Sequence, residues 1–140
     1  MEETEGETVD YDLVRTRIND LRERYNIVEL AADRWNATQI LTQLMGDGIE
    51  VVAFGQGFKD MTAPAKELEA LVMDRRIHHG GHPVLRWNAS NCVIERDAAG
   101  NIKPSKKVST ERIDGVVALL MALGRAMVRS PVADQSCVFI

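Results

Sequence analysis

Two aspartates occupy positions at which a carboxylate could bind a cation. Asp33 directly follows the apolar run 27–32 and precedes Trp35 and Asn36, so it falls at the carboxyl end of a predicted strand, where open α/β sheets place their sites. Asp114 is the only acid between residues 113 and 128 and lies in the first turn of an apolar final helix. Carboxylate oxygens are the ligands that Mg²⁺ and Mn²⁺ prefer. The residues alone leave a second interpretation open for each acid, namely a helix cap or a partner for the helix dipole.

A group of histidines offers a different metal chemistry. His78, His79 and His82 stand close together, and Cys92 is the nearest thiol. A zinc site needs four ligands at defined spacing, and this segment offers three histidines with Cys92 as the only close further candidate. We therefore favour structural or solvent-exposed histidines and keep a metal or DNA contact as the alternative.

The middle of the chain carries the positive charge that a nucleic-acid contact would need. Residues 59–112 have 10 Lys or Arg and 7 acids, whereas residues 1–58 have 5 Lys or Arg and 12 acids. Lys103, Lys106, Lys107 and Arg112 lie in or just after a predicted hairpin. A basic hairpin of this kind would contact DNA phosphates, and a solvated surface hairpin is the simpler alternative.

The elements that would position these residues predict an α/β fold. From Asp10, a predicted cap, apolar residues recur at helical spacing as far as residue 25. A strand at 27–32, a helix that opens at Asn36 or Thr38, and a strand at 49–54 follow. Because helix and strand alternate, neighbouring parallel strands are expected.

The second half of the chain predicts three helices and a hairpin. A loop at 55–62 precedes a helix at 63–73 with Pro64 in its first turn, and a short helix at 83–91 leads to a strand at 92–95 and a hairpin turn at 97–104. The last helix is predicted over 111–129, capped by Ser109 or Thr110 and buried on nearly every face. Trp35 and Trp87 are interpreted as packing residues.

The whole chain has the size and composition of one domain. It has 140 residues, of which 45% are hydrophobic and 27% charged. Its 2 cysteines favour a reducing compartment over a disulfide framework. No apolar run approaches the roughly 20 residues of a membrane span, and the acidic N-terminus is unlike a signal peptide. The glycines at 55 and 57 fit no phosphate-binding motif, which disfavours a nucleotide-binding α/β module.

Five stretches of the chain, taken in order, resemble one known family. They are DRWNATQ, FGQGFKDMTAPAKELEALV, HHGGHPVLRWNASN, GNIKPSKK and STERIDGVVALLMALGRA. Together they resemble the C-terminal nuclease domain of tailed-phage large terminase subunits over roughly residues 8–130. The resemblance implies a ribonuclease H-like fold, here a partial mixed sheet flanked by helices. It also implies metal-dependent endonucleolytic cleavage of concatemeric double-stranded DNA during genome packaging.

The resemblance also assigns roles to particular residues. Asp33 matches the acid of the family's D-x-W-N motif, and Asp114 matches the acid of its I-D-G motif. Both are implied to be catalytic and to bind Mg²⁺ or Mn²⁺ in a two-metal site. The GNIKPSKK stretch matches a hairpin that the family places near the active site and DNA, so its lysines are implied DNA contacts.

The partners implied by the resemblance are those of DNA packaging. They are double-stranded DNA and, for a full-length large subunit, the small terminase subunit and the portal, in the cytoplasm of a bacterial host and without a membrane. A homo-oligomer is a further expectation, because a sheet without its first strands would expose an apolar edge or face.

One residue of the family's site is not matched. That site also uses an aspartate on the first strand of the fold, upstream of the helix near Asp10, and neither Asp10 nor Asp12 stands at the corresponding place. We therefore predict a fragment of a longer protein or a truncated prophage gene, with the nuclease domain at 1–130 and a tail at 131–140. Whether the chain is an enzyme stays open. The alternative is a catalytically inactive fragment that binds only DNA or protein.

Overall fold

The computed structural model of the protein describes residues 10–33, 38–129 and 138–139. The chain divides into two units, residues 1–54 and 55–140. The elements are, in chain order, α1 (Tyr11–Arg24), β1 (Leu30–Ala32), α2 (Thr38–Gly46), β2 (Val51–Ala53), α3 (Phe58–Met73), β3 (Ile77–His78), α4 (Pro83–Asn91), β4 (Ile94–Arg96), β5 (Ile102–Pro104), α5 (Asp114–Arg129) and β6 (Val138–Phe139). The α/β prediction is confirmed.

The first unit contains the predicted pair of parallel strands. β1 and β2 run parallel, with Leu30 opposite Val51 and Ala32 opposite Ala53. Buried side chains on the inner face of α2 form a cluster with Ile49, which lies just before β2. Half-buried side chains from α1 and from both strands pack against this cluster. The cluster consists of Ile40, Leu44 and Ile49, with Ile18, Leu30 and Val51 packed against it. The predicted order of helix, strand, helix and strand is therefore confirmed.

The first unit also contains a charged contact between α1 and the turn after α2. Asp10 caps α1 as predicted, because its Oδ1 accepts from the backbone N–H of Asp12 at 2.9 Å. Further along α1, the Arg15 guanidinium donates to both carboxylate oxygens of Asp47, and the Asn19 amide donates to one of them at 2.9 Å. These donors lower the pKa of the Asp47 carboxyl well below its usual range.

The second unit begins with a longer helix than the sequence predicted. α3 starts at Phe58, directly after Gly57, so the predicted loop at 55–62 is only three residues long. Pro64 was predicted in the first turn, because proline is favoured there, but it lies inside the helix, where it is buried. β3 follows this helix and pairs in parallel with β6, and β6 lies within the segment predicted as a tail.

A hairpin follows α4, as predicted. β4 and β5 are antiparallel, with Glu95 opposite Lys103. The Asp97 carboxylate accepts from three N–H groups of the connecting turn, and Gly100 supplies the left-handed conformation there, with φ of +80°. The Thr62 hydroxyl accepts from the backbone N–H of Ile102 at 3.1 Å and lies 3.0 Å from its carbonyl oxygen. The hairpin is thereby attached to α3.

The final helix is shorter and less buried than predicted. α5 begins at Asp114. The Ser109 hydroxyl is not its cap, because it accepts from the backbone N–H of Val93 at 3.0 Å. One face of α5 packs into the unit, and the opposite face exposes Ala118, Ala122 and Ala126. The core residues of this unit outside α3 are Ile102, Ile113, Val116, Val117, Leu120, Met121 and Leu123.

The two tryptophans were interpreted as core or helix-packing residues. Trp87 is 45% exposed on α4, so it is not a core residue, and its role in helix packing stays a prediction. Trp35 lies outside the described residues. No helix among the described residues has both the length and the apolar character that crossing a bilayer requires.

Candidate active site

Asp114 opens α5 with its side chain in solvent. The side chain is 66% exposed, and its Oδ1 lies 2.7 Å from the Lys106 ammonium. The sequence had suggested a carboxylate at a buried helix start. The neighbouring residues Ile113, Val116 and Val117 are buried, but the Asp114 side chain itself faces solvent. An exposed carboxylate beside a lysine can exchange that lysine for another cation without a large desolvation cost.

The backbone on which Asp114 stands is fixed by a residue that the sequence analysis did not single out. Asn88, on α4, is 3% exposed, and its Oδ1 accepts from the backbone N–H of Gly115 at 2.7 Å. It therefore caps α5 from a neighbouring helix, which satisfies one of the four unpaired N–H groups of a helix start. A Cβ at Gly115 would lie 2.7 Å from the same oxygen. This is why glycine follows the aspartate.

The loop that carries Lys106 is bonded to the hairpin on both sides. Ser105 is 4% exposed, and its N–H donates to the carbonyl of Val93 at 2.9 Å. Ser109 then donates its own N–H to the Ser105 carbonyl at 3.0 Å. Because the backbone on both sides of Lys106 is bonded, its ammonium is delivered to Asp114 by a defined turn.

Asp33 lies in the first unit, directly after β1, and is half-buried. The parallel pairing extends up to it, because the N–H of Phe54 donates to the Ala32 carbonyl at 2.9 Å. The predicted position at the carboxyl end of a strand is therefore correct. The neighbours Trp35 and Asn36 of its motif lie outside the described residues.

The four predicted DNA-contacting cations differ in their surroundings. Lys103 is 26% exposed, lies 3.7 Å from Glu95, and places its ammonium 4.8 Å from the Phe58 ring centroid. Lys106 contacts Asp114. Lys107 and Arg112 are exposed. Lys103 thus contacts both the hairpin and α3, whereas Lys107 and Arg112 face solvent.

The histidine segment is built around turns and a helix start. His82 caps α4, since its Nδ1 accepts from the backbone N–H of Val84 at 3.3 Å. The Nδ1 of His79 accepts from the N–H of Gly81 at 3.1 Å. Among residues 10–33, 38–129 and 138–139, no group of three or more acidic, histidine or cysteine side chains is arranged to hold a metal.

A cavity of about 550 Å³ lies between α3, α4, α5 and the hairpin. Its wall is mainly apolar, with Leu68, Leu85, Ile94 and Val116 among the lining residues, and Cys92 also contributes. Burial raises the pKa of the Cys92 thiol, which makes it a poor nucleophile. Asp114 is not among the described lining residues, so this cavity is separate from the predicted acid.

The similarity of this chain to known proteins identifies its family. Residues 1–130 match the family model described as the terminase large subunit, endonuclease domain. The chain belongs to that family. It is 42% identical over 125 residues to the large terminase subunit of Enterobacteria phage HK97, covering 88% of this chain and 25% of that protein. It is 35% identical to the protein YmfN of Escherichia coli K12, covering 89% of this chain and 28% of that protein.

Solved terminase structures agree with this assignment. The crystal structure of the HK97 large terminase matches with a TM-score of 0.80 at 40% identity, over 89% of this chain and 26% of that one. The large terminase nuclease of thermophilic phage G20c matches with a TM-score of 0.65 at 19% identity, over 82% of this chain and 62% of that one. The predicted ribonuclease H-like fold is confirmed. The chain spans about a quarter of the length of the curated relatives that it matches.

The side chains of this terminase domain fit a divalent cation by donor chemistry. Asp33 and Asp114 offer carboxylate oxygens, which suit Mg²⁺ or Mn²⁺ better than softer metals. The Asp114 carboxylate is open to solvent and already has a cation, the Lys106 ammonium, beside it. A dissolved cation would therefore meet this carboxylate at the surface, where it would compete with the Lys106 ammonium.

Proposed function

We propose that this chain is a metal-dependent endonuclease domain that hydrolyses phosphodiester bonds of double-stranded DNA. The observation that carries the proposal is the family match over residues 1–130. It is supported by an exposed carboxylate, Asp114, on a helix start that Asn88 caps. Within a full-length large subunit, this activity would cut concatemeric DNA during packaging in the host cytoplasm, together with the small subunit and the portal.

In this proposal Asp33 and Asp114 each bind Mg²⁺ or Mn²⁺. When bound, the ion would stabilise negative charge on the phosphate oxygens. Asp114 contributes a carboxylate whose backbone position is set by the cap on Gly115. Lys107 and Arg112, exposed beside the hairpin, would contact phosphates of the same duplex and contribute affinity that falls as salt rises.

The test is cleavage of a supercoiled plasmid by this chain with Mn²⁺ or Mg²⁺. Asp33→Asn and Asp114→Asn should each abolish cleavage, because they remove a ligand while preserving side-chain volume. Asp74→Asn is the matched control, since Asp74 is an exposed acid at the end of α3. Cleavage that survives Asp114→Asn would refute the assignment of this acid.

The same experiment separates the alternative of an inactive fragment. A chain that folds and binds labelled duplex DNA but cuts nothing with either metal would support a binding module. Circular dichroism of each variant must match the parent, so that lost cleavage reports chemistry and not unfolding.

A further inference from the structure

The contact between Lys106 and Asp114 joins two residues of different predicted roles. One belongs to the basic hairpin, and the other is the proposed metal ligand. Their charged atoms lie 2.7 Å apart, with the two side chains 52% and 66% exposed. At this distance the ammonium is bonded to a carboxylate oxygen, Oδ1, that a divalent cation would also use.

The contact is specific to Lys106 among the neighbouring lysines. Lys107, the next residue, is exposed and has no ion pair within the part of the chain that the structure describes. Both lysines lie in the loop that Ser105 and Ser109 bond, and it is the Lys106 side chain that reaches the Asp114 carboxylate. The backbone position of Asp114 is also fixed, because Asn88 accepts from the N–H of the next residue, Gly115.

We propose that Lys106 is an exchangeable counter-ion of Asp114. The Lys106 ammonium leaves the carboxylate when a divalent cation binds, and it then contacts a DNA phosphate. This rests on the proposed role of Asp114 as a metal ligand. With no metal bound, the lysine neutralises Asp114 and lowers its affinity for a second cation. With metal bound, the released ammonium becomes available to the nearest anion, which in the complex is a phosphate of the duplex.

Two linked consequences follow. Metal and DNA should bind cooperatively, since each favours the state in which Lys106 has left Asp114, and the coupling must be reciprocal. The coupling must also be modest, because exposed ion pairs are weak. Their usual strength corresponds to a change in metal affinity of up to about fivefold, and added salt should reduce it.

The metal arm of the test is a calorimetric titration of the chain with Mn²⁺ at low ionic strength. Lys106→Met should tighten Mn²⁺ binding by up to about fivefold. Lys107→Met removes the same charge one residue away and should change the affinity by clearly less. In the Asp114→Asn background, Lys106→Met should have no effect, because the carboxylate that it competes for is gone.

The DNA arm measures binding of a labelled duplex with and without Ca²⁺, an oxygen-seeking ion used in place of Mn²⁺ to limit cleavage. Ca²⁺ should strengthen DNA binding by the parent chain, and the gain should shrink in Lys106→Met. An equal gain in both proteins would refute the exchange of Lys106 from carboxylate to phosphate.

The outcomes distinguish this inference from the proposed function. Weaker Mn²⁺ binding in Asp114→Asn, together with no change in Lys106→Met, overturns the exchange and leaves the metal ligand in place. Equal tightening in both lysine variants also overturns it, since that result reports net charge alone. Loss of Mn²⁺ binding in every variant overturns both. If metal and DNA bind cooperatively through Lys106 as predicted, but the chain cuts no plasmid, the exchange is supported and the nuclease activity is contradicted.

Discussion

The cap that Asn88 provides to α5 makes an unusual prediction for Gly115. Alanine is normally better than glycine inside a helix by about 1 kcal/mol, and Gly115 has no left-handed conformation that would require glycine. In this protein, however, the Cβ of an alanine would lie 2.7 Å from the Asn88 Oδ1. The effect of Gly115→Ala should therefore change sign with the residue at position 88.

The magnitudes follow from the contacts. In the parent chain, Gly115→Ala must displace a nearly buried amide and weaken its bond to the Gly115 N–H, which should destabilise the fold by about 1–3 kcal/mol. Asn88→Ala alone should cost about 1–2 kcal/mol through the lost cap. With Asn88 already replaced, Gly115→Ala should stabilise by up to about 1 kcal/mol. The coupling energy of the pair should then be about 2 kcal/mol.

The assay is urea unfolding of the four members of this cycle, monitored by circular dichroism. Midpoints should shift while the slope stays constant, which shows that stability and not compactness has changed. Gly46→Ala is the matched control, since its added Cβ would meet nothing within 4 Å, and it should be additive with Asn88→Ala. If Gly115→Ala destabilised both backgrounds equally, the contact with Asn88 would not be the reason for glycine.

Three further predictions concern the contacts that stabilise each unit. Donors from α1 lower the pKa of the Asp47 carboxyl, so its contribution to the free energy of unfolding should be complete above the unfolded pKa near 4 and lost as pH falls through the lower folded value. Asp47→Asn should therefore flatten the dependence of the unfolding midpoint on pH between 5 and 2. An unchanged dependence would contradict this. Arg15→Met should flatten the same pH dependence, because it removes the guanidinium that donates to the Asp47 carboxylate. Thr62→Val removes the hydroxyl that accepts from the Ile102 N–H and should cost about 1–2 kcal/mol. Thr16→Val on the exposed face of α1 should change the midpoint little, and equal losses would refute the attachment of the hairpin to α3. Asp97→Ala removes the acceptor of the hairpin turn, and hydrogen exchange of the β4–β5 amides should accelerate in the variant if the carboxylate orders that turn.

Several elements were predictable because their signals are local. The helical spacing after Asp10, the parallel strands β1 and β2, and the hairpin with its glycine turn are confirmed. The helix and the hairpin turn depend on residues close together in sequence, whose periodicity and turn chemistry are local signals. The parallel pair follows from the alternation of helix and strand along the chain. The boundary errors at α3 and α5 have the opposite origin. Pro64 and Ser109 carry local signals for a helix start, and tertiary contacts use both residues differently.

The strings around the two acids also identified the family without any structure. That identification places Asp33 after a strand and Asp114 at a helix start, and both placements are confirmed. Their role as metal ligands stays a prediction, because it rests on the resemblance and on the chemistry of carboxylates.

The sequence by itself thus determined the family, the α/β class, the first helices and strands, and the two acids as candidates. Only the tertiary structure decided what surrounds Asp114, namely the Lys106 ammonium beside it and the Asn88 cap beneath it. Neither contact has a sequence signal. Asn88 and Gly115 lie 27 positions apart in the sequence, and the path of the hairpin and loop between them sets their distance in space. Helix propensity acts over a few residues, whereas a cap from another helix depends on how two helices pack. The chemistry of Asp114 therefore depends on residues that only folding brings to it.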